Sequence, residues 1–101
     1  MAKRRVRLAP AAARQIRELR LVERARLKDA ITVSLGEDDA ASTTGNRFPL
    51  RRPSARGAFE LRVGDLRVFY RIVENEVRVT LIGRQVSNQV LVSGGRIIIW
   101  N

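Results

Sequence analysis

Between Phe59 and Gln85, apolar and polar residues alternate almost without interruption, and the pattern breaks only at Gly64-Asp65 and Glu74-Asn75. Alternation with period two puts one class of side chain on each face of a strand. Two-residue breaks built from Gly, Asp and Asn are the shortest connections that reverse a chain between antiparallel strands. The segment therefore reads as three strands joined by two tight turns. Such turns leave the register little freedom, because a slip of one residue would exchange the two faces. The first turn sets Val63 opposite Leu66, Arg62 opposite Arg67, Leu61 opposite Val68, Glu60 opposite Phe69 and Phe59 opposite Tyr70. The second sets Ile72 opposite Val77, Tyr70 opposite Val79, Val68 opposite Leu81, Arg71 opposite Arg78 and Arg67 opposite Ile82. Phe59, Leu61, Val63, Leu66, Val68, Tyr70 and Ile72 then share one face, suited to a core. Glu60, Arg62, Arg67, Phe69 and Arg71 share the other, with Arg84 expected to arrive beside Arg62 and Arg67.

The flanking segments supply what a sheet needs to bury one face. Val6 and Leu8 alternate with Arg5 and Arg7 before Pro10, which predicts a short strand followed at once by a helix. Good helix formers dominate from Ala11 to Leu35, but Ile16 and Leu19 mark one apolar stripe while Leu27, Ala30, Ile31 and Leu35 mark another. Two helices are expected, with a break near Arg20 to Val22 and a stop at Gly36. A loop follows from Asp38 to Asn46. Next come a short strand at Phe48 to Leu50 and a basic loop formed by Arg51, Arg52, Pro53, Ser54, Ala55, Arg56 and Gly57. Gln89 to Val92 and Arg96 to Trp100, separated by Ser93-Gly94-Gly95, read as a further hairpin whose apolar run needs cover. The chain of 101 residues, 45% of them apolar, suffices for one domain, 1–101.

Composition narrows the chemistry. There is no cysteine and no histidine, so thiolate nucleophiles, cysteine-held metals and the commonest general base are excluded, and no metal or other cofactor is expected. No apolar run approaches the roughly 18 residues of a membrane span, and no signal-like stretch opens the chain. A cytoplasmic location without membrane contact is expected. Twenty basic residues face ten acidic ones, a net charge of +10. The charge is blocky: +8 over residues 1–28, −4 over 29–46, +5 over 47–71 and +1 over 72–101. Arginine, whose planar fork fits phosphate and carboxylate, makes up most of the excess. Two readings stand, a surface for a polyanion or acidic partner and a merely solvated surface.

The run Phe59-Glu-Leu-Arg-Val-Gly-Asp-Leu-Arg-Val-Phe-Tyr-Arg-Ile72, followed by a strand ending Leu81-Ile-Gly-Arg84, resembles the RelE/ParE superfamily of toxins from toxin–antitoxin modules. The resemblance implies an α+β fold class, with two N-terminal helices packed on one face of a mainly antiparallel, twisted sheet; the C-terminal β-hairpin is extra. It also implies a cognate antitoxin with an acidic or amphipathic segment. In RelE-like members the opposite face cuts messenger RNA on the ribosome by attack of the ribose 2′-hydroxyl. Carried over residue by residue, Arg67 matches a phosphate-contacting arginine, and Arg84 lies at or beside another. The chain departs from the nucleases elsewhere, with Ala58 and Glu60 in place of paired lysines, Leu66 for a turn aromatic, and Leu91 or a neighbour at the tyrosine position.

The expected catalytic group is accordingly Arg67, Arg84 and Glu60, with Arg62, Arg71, Arg51, Arg52 and Arg56 expected to bind nucleic acid. Glu60 has two readings, a general base and a salt-bridge partner among arginines. Three functions are compatible with the resemblance: a ribosome-dependent mRNA endonuclease that inhibits translation, a ParE-like inhibitor of DNA gyrase without catalysis, and a degenerate relative that only binds antitoxin.

Overall fold

The alternating segments form the central strands of a single sheet. The computed structural model describes residues 3–54, 57–92 and 96–99, the last four as a backbone strand. In chain order the elements are β1 (Arg5–Leu8), α1 (Pro10–Arg17), α2 (Leu21–Ile31) with a π-helical turn at Thr32–Glu37, β2 (Arg47–Ser54), β3 (Gly57–Val63), β4 (Leu66–Val73), β5 (Glu76–Val86), β6 (Gln89–Val92) and β7 (Arg96–Ile99). The spatial order is β2-β3-β4-β5-β6-β7, antiparallel throughout, and β1 lies parallel to β5. The C-terminal hairpin is present as β6 and β7, paired with Val92 opposite Arg96. Its connection 93–95 and Trp100 lie outside the described residues. Among the described residues no helix is long and apolar enough to cross a membrane.

Every cross-strand pair expected between β3 and β4 is present. Between β4 and β5 the register agrees at Ile72–Val77, Arg71–Arg78 and Tyr70–Val79, then shifts. Thr80 is inserted as a β-bulge, and its hydroxyl donates to the Phe69 carbonyl at 3.1 Å. Beyond it Phe69 faces Leu81, Val68 faces Ile82, and Arg67 faces Gly83, one place from the expected pairing. Tight turns specify register only as far as the strands stay regular. Here the extra residue rotates Ile82 into the core and reverses the facing of every side chain after it.

The helices cover the apolar face as expected. Ala12 and Ile16 of α1 and Leu27 and Ile31 of α2 meet Leu61, Val68, Tyr70, Val77, Val79 and Ile82 in one core. Burying each large aliphatic side chain of this kind contributes about 1.5–3 kcal/mol. Tyr70 sits at the centre, stacked on Phe59 at 5.3 Å between centroids, and its hydroxyl donates to the Ala40 carbonyl at 2.8 Å. Burial pushes its pKa above the ordinary phenol range. The break between the helices falls earlier than expected, at residues 18–20. Neither Gly nor Pro marks it. Instead Arg20 adopts an extended backbone, and Arg24 Nη2 donates to the carbonyls of Arg17 and Leu19 at the end of α1.

One buried polar contact fastens α1 to the sheet. The free side of β5 is paired with β1 at Glu76 to Val79 and with β6 at Arg84 to Val86, so the stretch between has no strand partner there. Into this gap α1 projects Gln15, whose Oε1 accepts the Ile82 N–H at 2.7 Å. Replacing Gln15 by Leu keeps the bulk and removes the acceptor, leaving a buried donor unsatisfied. The expected loss is about 1–3 kcal/mol of unfolding free energy in a urea titration; an unchanged midpoint would show that the contact carries no weight.

Candidate functional site

The outer face of the sheet, away from the helices, brings Glu60, Arg62 and Arg67 together as the register requires. Arg62 and Arg67 are directly opposed across the β3–β4 hairpin, and Glu60 stands two residues before Arg62 on the same face. The Glu60 carboxylate is fully buried between them, its Oε2 3.0 Å from Arg62 Nε and 3.5 Å from Arg67 Nε. The salt-bridge reading of Glu60 is therefore realised geometrically. Two like charges opposed in a sheet destabilise it, and the carboxylate between them offsets that repulsion.

The two arginines differ in what they present. Arg67 is buried, and its guanidinium folds back on the turn. Its Nη1 donates to the carbonyls of Gly64 and Leu66, each at 2.8 Å, while Nη2 donates to the side-chain oxygen of Gln85. Burial lowers its pKa first, and the charge of Arg62 adds to that; an arginine so shifted still keeps its proton at neutral pH. Arg62 is the accessible member, with its side chain 38% exposed. Its guanidinium carbon lies 4.8 Å from the centroid of the Phe48 ring, a cation–π geometry.

Arg84 does not join them. Because of the bulge at Thr80, it turns toward the helices and pairs with Leu66 rather than pointing beside Arg67. Its Nη1 donates to both Asp65 carboxylate oxygens, at 3.1 and 2.9 Å, and its Nη2 to Glu23 of α2 at 2.9 Å. Hydrogen bonding to Asp65, with Glu23 assisting, raises its pKa against the opposing effect of burial. It is a clasp between α2 and the β3–β4 turn.

The remaining basic candidates are spread apart. Arg71 lies at the far end of the outer face, opposite Arg78, and donates to the Ser54 carbonyl. Arg51 and Arg52 are exposed, but on strand β2 rather than in the expected loop, because β2 runs on through a register irregularity to Ser54. Arg56 lies outside the described residues. Arg47, counted in the sequence as part of the basic block, is buried instead, donating to the Ser34 and Ser42 carbonyls at 2.6 and 2.9 Å.

Phe48 and Gln85 complete the cluster and were not candidates from sequence. Alternation through Phe48 signals the first, which stands opposite Glu60. Nothing in the unshifted register signals Gln85. At its centre the outer face is closed: Phe69 is buried, and a Cβ at Gly83 would meet Val90 Cγ1 at 2.4 Å, so β6 packs over a position that only glycine fills without displacement.

No family model matches the chain, and no curated protein matches it at a significant level. Among solved structures, a chain of the toxin–antitoxin complex RelBE2 from Mycobacterium tuberculosis is similar in fold, with a TM-score of 0.67 and 24% sequence identity. The likeness covers 82% of this chain and 99% of that one. The two chains thus share one architecture.

The contrast between the two inner arginines can be measured. Arg67→Ala removes a buried partner of a buried carboxylate and should lower unfolding free energy by about 3 kcal/mol. Arg84→Gln breaks half-exposed pairs and should cost under about 1 kcal/mol. Equal losses in urea titrations would contradict the assignment of different roles.

Proposed function

We propose that the chain is the toxin of a toxin–antitoxin pair, and that its outer face engages messenger RNA on the ribosome. The fold shared with a chain of the RelBE2 complex carries the first part. The arginine-bearing outer face, free of helices, supports the second. In this reading Arg62, the accessible guanidinium of the cluster, takes a phosphate of the message. Drawing Arg62 toward the phosphate releases one side of Glu60, whose carboxylate then accepts the proton of the attacking 2′-hydroxyl. The 2′-oxygen bonds to phosphorus, the 5′-oxygen leaves, and solvent supplies its proton. Arg67 is a positioning residue, holding the turn and Glu60 from behind, and Arg84 is structural. The antitoxin supplies an acidic or amphipathic segment that covers this basic face when the toxin is silent.

A second reading, a gyrase inhibitor that performs no chemistry, is favoured by the complete burial of Glu60 and by the turning of Arg84 away from the face. Two assays separate the readings. Cleavage of ribosome-bound message should fall at least about tenfold in Arg62→Ala, as loss of a phosphate contact to charge requires, and persist in Arg84→Gln. Supercoiling by purified gyrase should be unaffected. Inhibited supercoiling with intact message would replace the first reading by the second, and unimpaired growth on expression of the folded protein alone would reduce the function to antitoxin binding.

A further inference from the structure

The outer face carries a second concentration of positive charge at the end away from Glu60 and Arg67. Parallel pairing of β1 with β5 places Arg5 opposite Glu76 and Arg7 opposite Arg78, while β4 on the other side of β5 places Arg71 opposite Arg78. Arg7, Arg78 and Arg71 thus stand in one row across three adjacent strands, spaced by the sheet at about 4.8 Å. Opposed like charges lower the stability of a sheet, and this row holds two such pairs in succession.

Within the fold the Glu76 carboxylate offsets part of that repulsion, and Arg71 donates to the Ser54 carbonyl. Glu76 lies 2.7 Å from Arg78 Nε and 3.6 Å from Arg7 Nη1, and Glu74 sits in the adjoining turn. Side chains of Arg7 and Arg78 are 70% and 51% exposed. Beside the row a groove of about 360 Å³ opens between Arg5, Arg7, Val73, Glu74, Glu76 and Arg78. Phe69, the nearest aromatic of β4 on this face, is buried and offers no stacking platform.

We propose that the Arg7–Arg78–Arg71 row is a strip for the phosphate backbone of single-stranded RNA, distinct from the Glu60–Arg62–Arg67 cluster. It rests on the reading of RNA as the target and adds a second point of attachment on the same face, beyond Phe69 and Leu81. Regularly spaced guanidinium forks suit a ligand whose charge repeats along a flexible strand. Without base stacking the contact positions the strand and is indifferent to its sequence. Two attachments at opposite ends of the sheet hold a strand across the face, so that the phosphate at Arg62 is held in place by contacts remote from it.

Binding of a fluorescently labelled polyuridine oligonucleotide tests this by anisotropy across a salt series, with wild type against the triple variant R7Q/R71Q/R78Q. The variant should bind at least about tenfold more weakly near 0.1 M salt. Its plot of log affinity against log salt should be shallower by about 2, since each single-strand phosphate contact contributes roughly 0.7 to the slope. Its thermal midpoint should change little, because two repulsive pairs are lost together with the half-exposed Glu76 ion pairs and the Arg71–Ser54 hydrogen bond, so that a weaker affinity cannot be put down to unfolding. E76Q, which deletes the carboxylate in the row, should bind more tightly than wild type. Equal affinity and slope in wild type and triple variant overturn the strip while leaving the target reading intact. A triple variant that loses RNA affinity, from a wild type that leaves translation untouched, supports the strip and rejects that target. Displacement of the oligonucleotide by polyglutamate as readily as by unlabelled RNA overturns the strip as an RNA site.

Discussion

Thr80 is inserted into β5 opposite the Phe69–Tyr70 step of β4, and the two halves of β5 answer to different neighbours because of it. Before the insertion β5 pairs with β1 and offers Val77 and Val79 to the core. After it, Ile82 takes the core position, Arg84 reaches the helices, and β6 takes over the edge that β1 leaves. One bulge thereby lets a single long strand serve two partner strands on the same side. The cost is a backbone donor, Ile82 N–H, in the gap between them. Gln15 meets it, and so α1 is tied to the place where the sheet changes partners.

The same insertion turns Arg84 inward, and other contacts sort the remaining arginines. A guanidinium can hold a fold together or present charge to a ligand, and this chain uses both. Arg67 and Arg47 are turned inward onto carbonyl oxygens, and Arg84 bridges two carboxylates. Arg62, Arg7 and Arg78 keep substantial exposure. Net charge alone does not distinguish the two sets. Nor does a nearby carboxylate, since Arg62 lies beside Glu60, and Arg7 and Arg78 beside Glu76. Arg67 and Arg47 differ in being buried with their forks turned onto backbone carbonyls, and Arg84 in joining α2 to the β3–β4 turn.

Much of the architecture was legible because alternation and two short turns leave few alternatives. The β3–β4 register, the core face with Tyr70 in it, the two helices and the C-terminal hairpin follow from periodicity and turn chemistry. The meeting of Glu60 with Arg62 and Arg67 follows from the same register. Arg84 was misplaced because a bulge at a threonine has no local signature: Thr80 is an ordinary strand residue, and the gain that stabilises its insertion is burial of Ile82 against distant helices. The extent of β2 was obscured by Pro49 and Pro53, which an edge strand tolerates. The parallel pairing of β1 with β5 is a long-range contact, and periodicity does not report strand neighbours.

That parallel pairing also orders events in time. Among the described residues β1 pairs with one strand, Glu76 to Val79 of β5, which is made roughly seventy residues after it. Contacts so distant along the chain close slowly. Until they close, Val6 and the helices that follow lack Val77, Val79 and Ile82 of the core, and the row of arginines spanning β1, β5 and β4 does not exist. The Glu60–Arg62–Arg67 cluster belongs to the β3–β4 hairpin and needs no later strand, whereas the arginine row is assembled only once Val79 has been made.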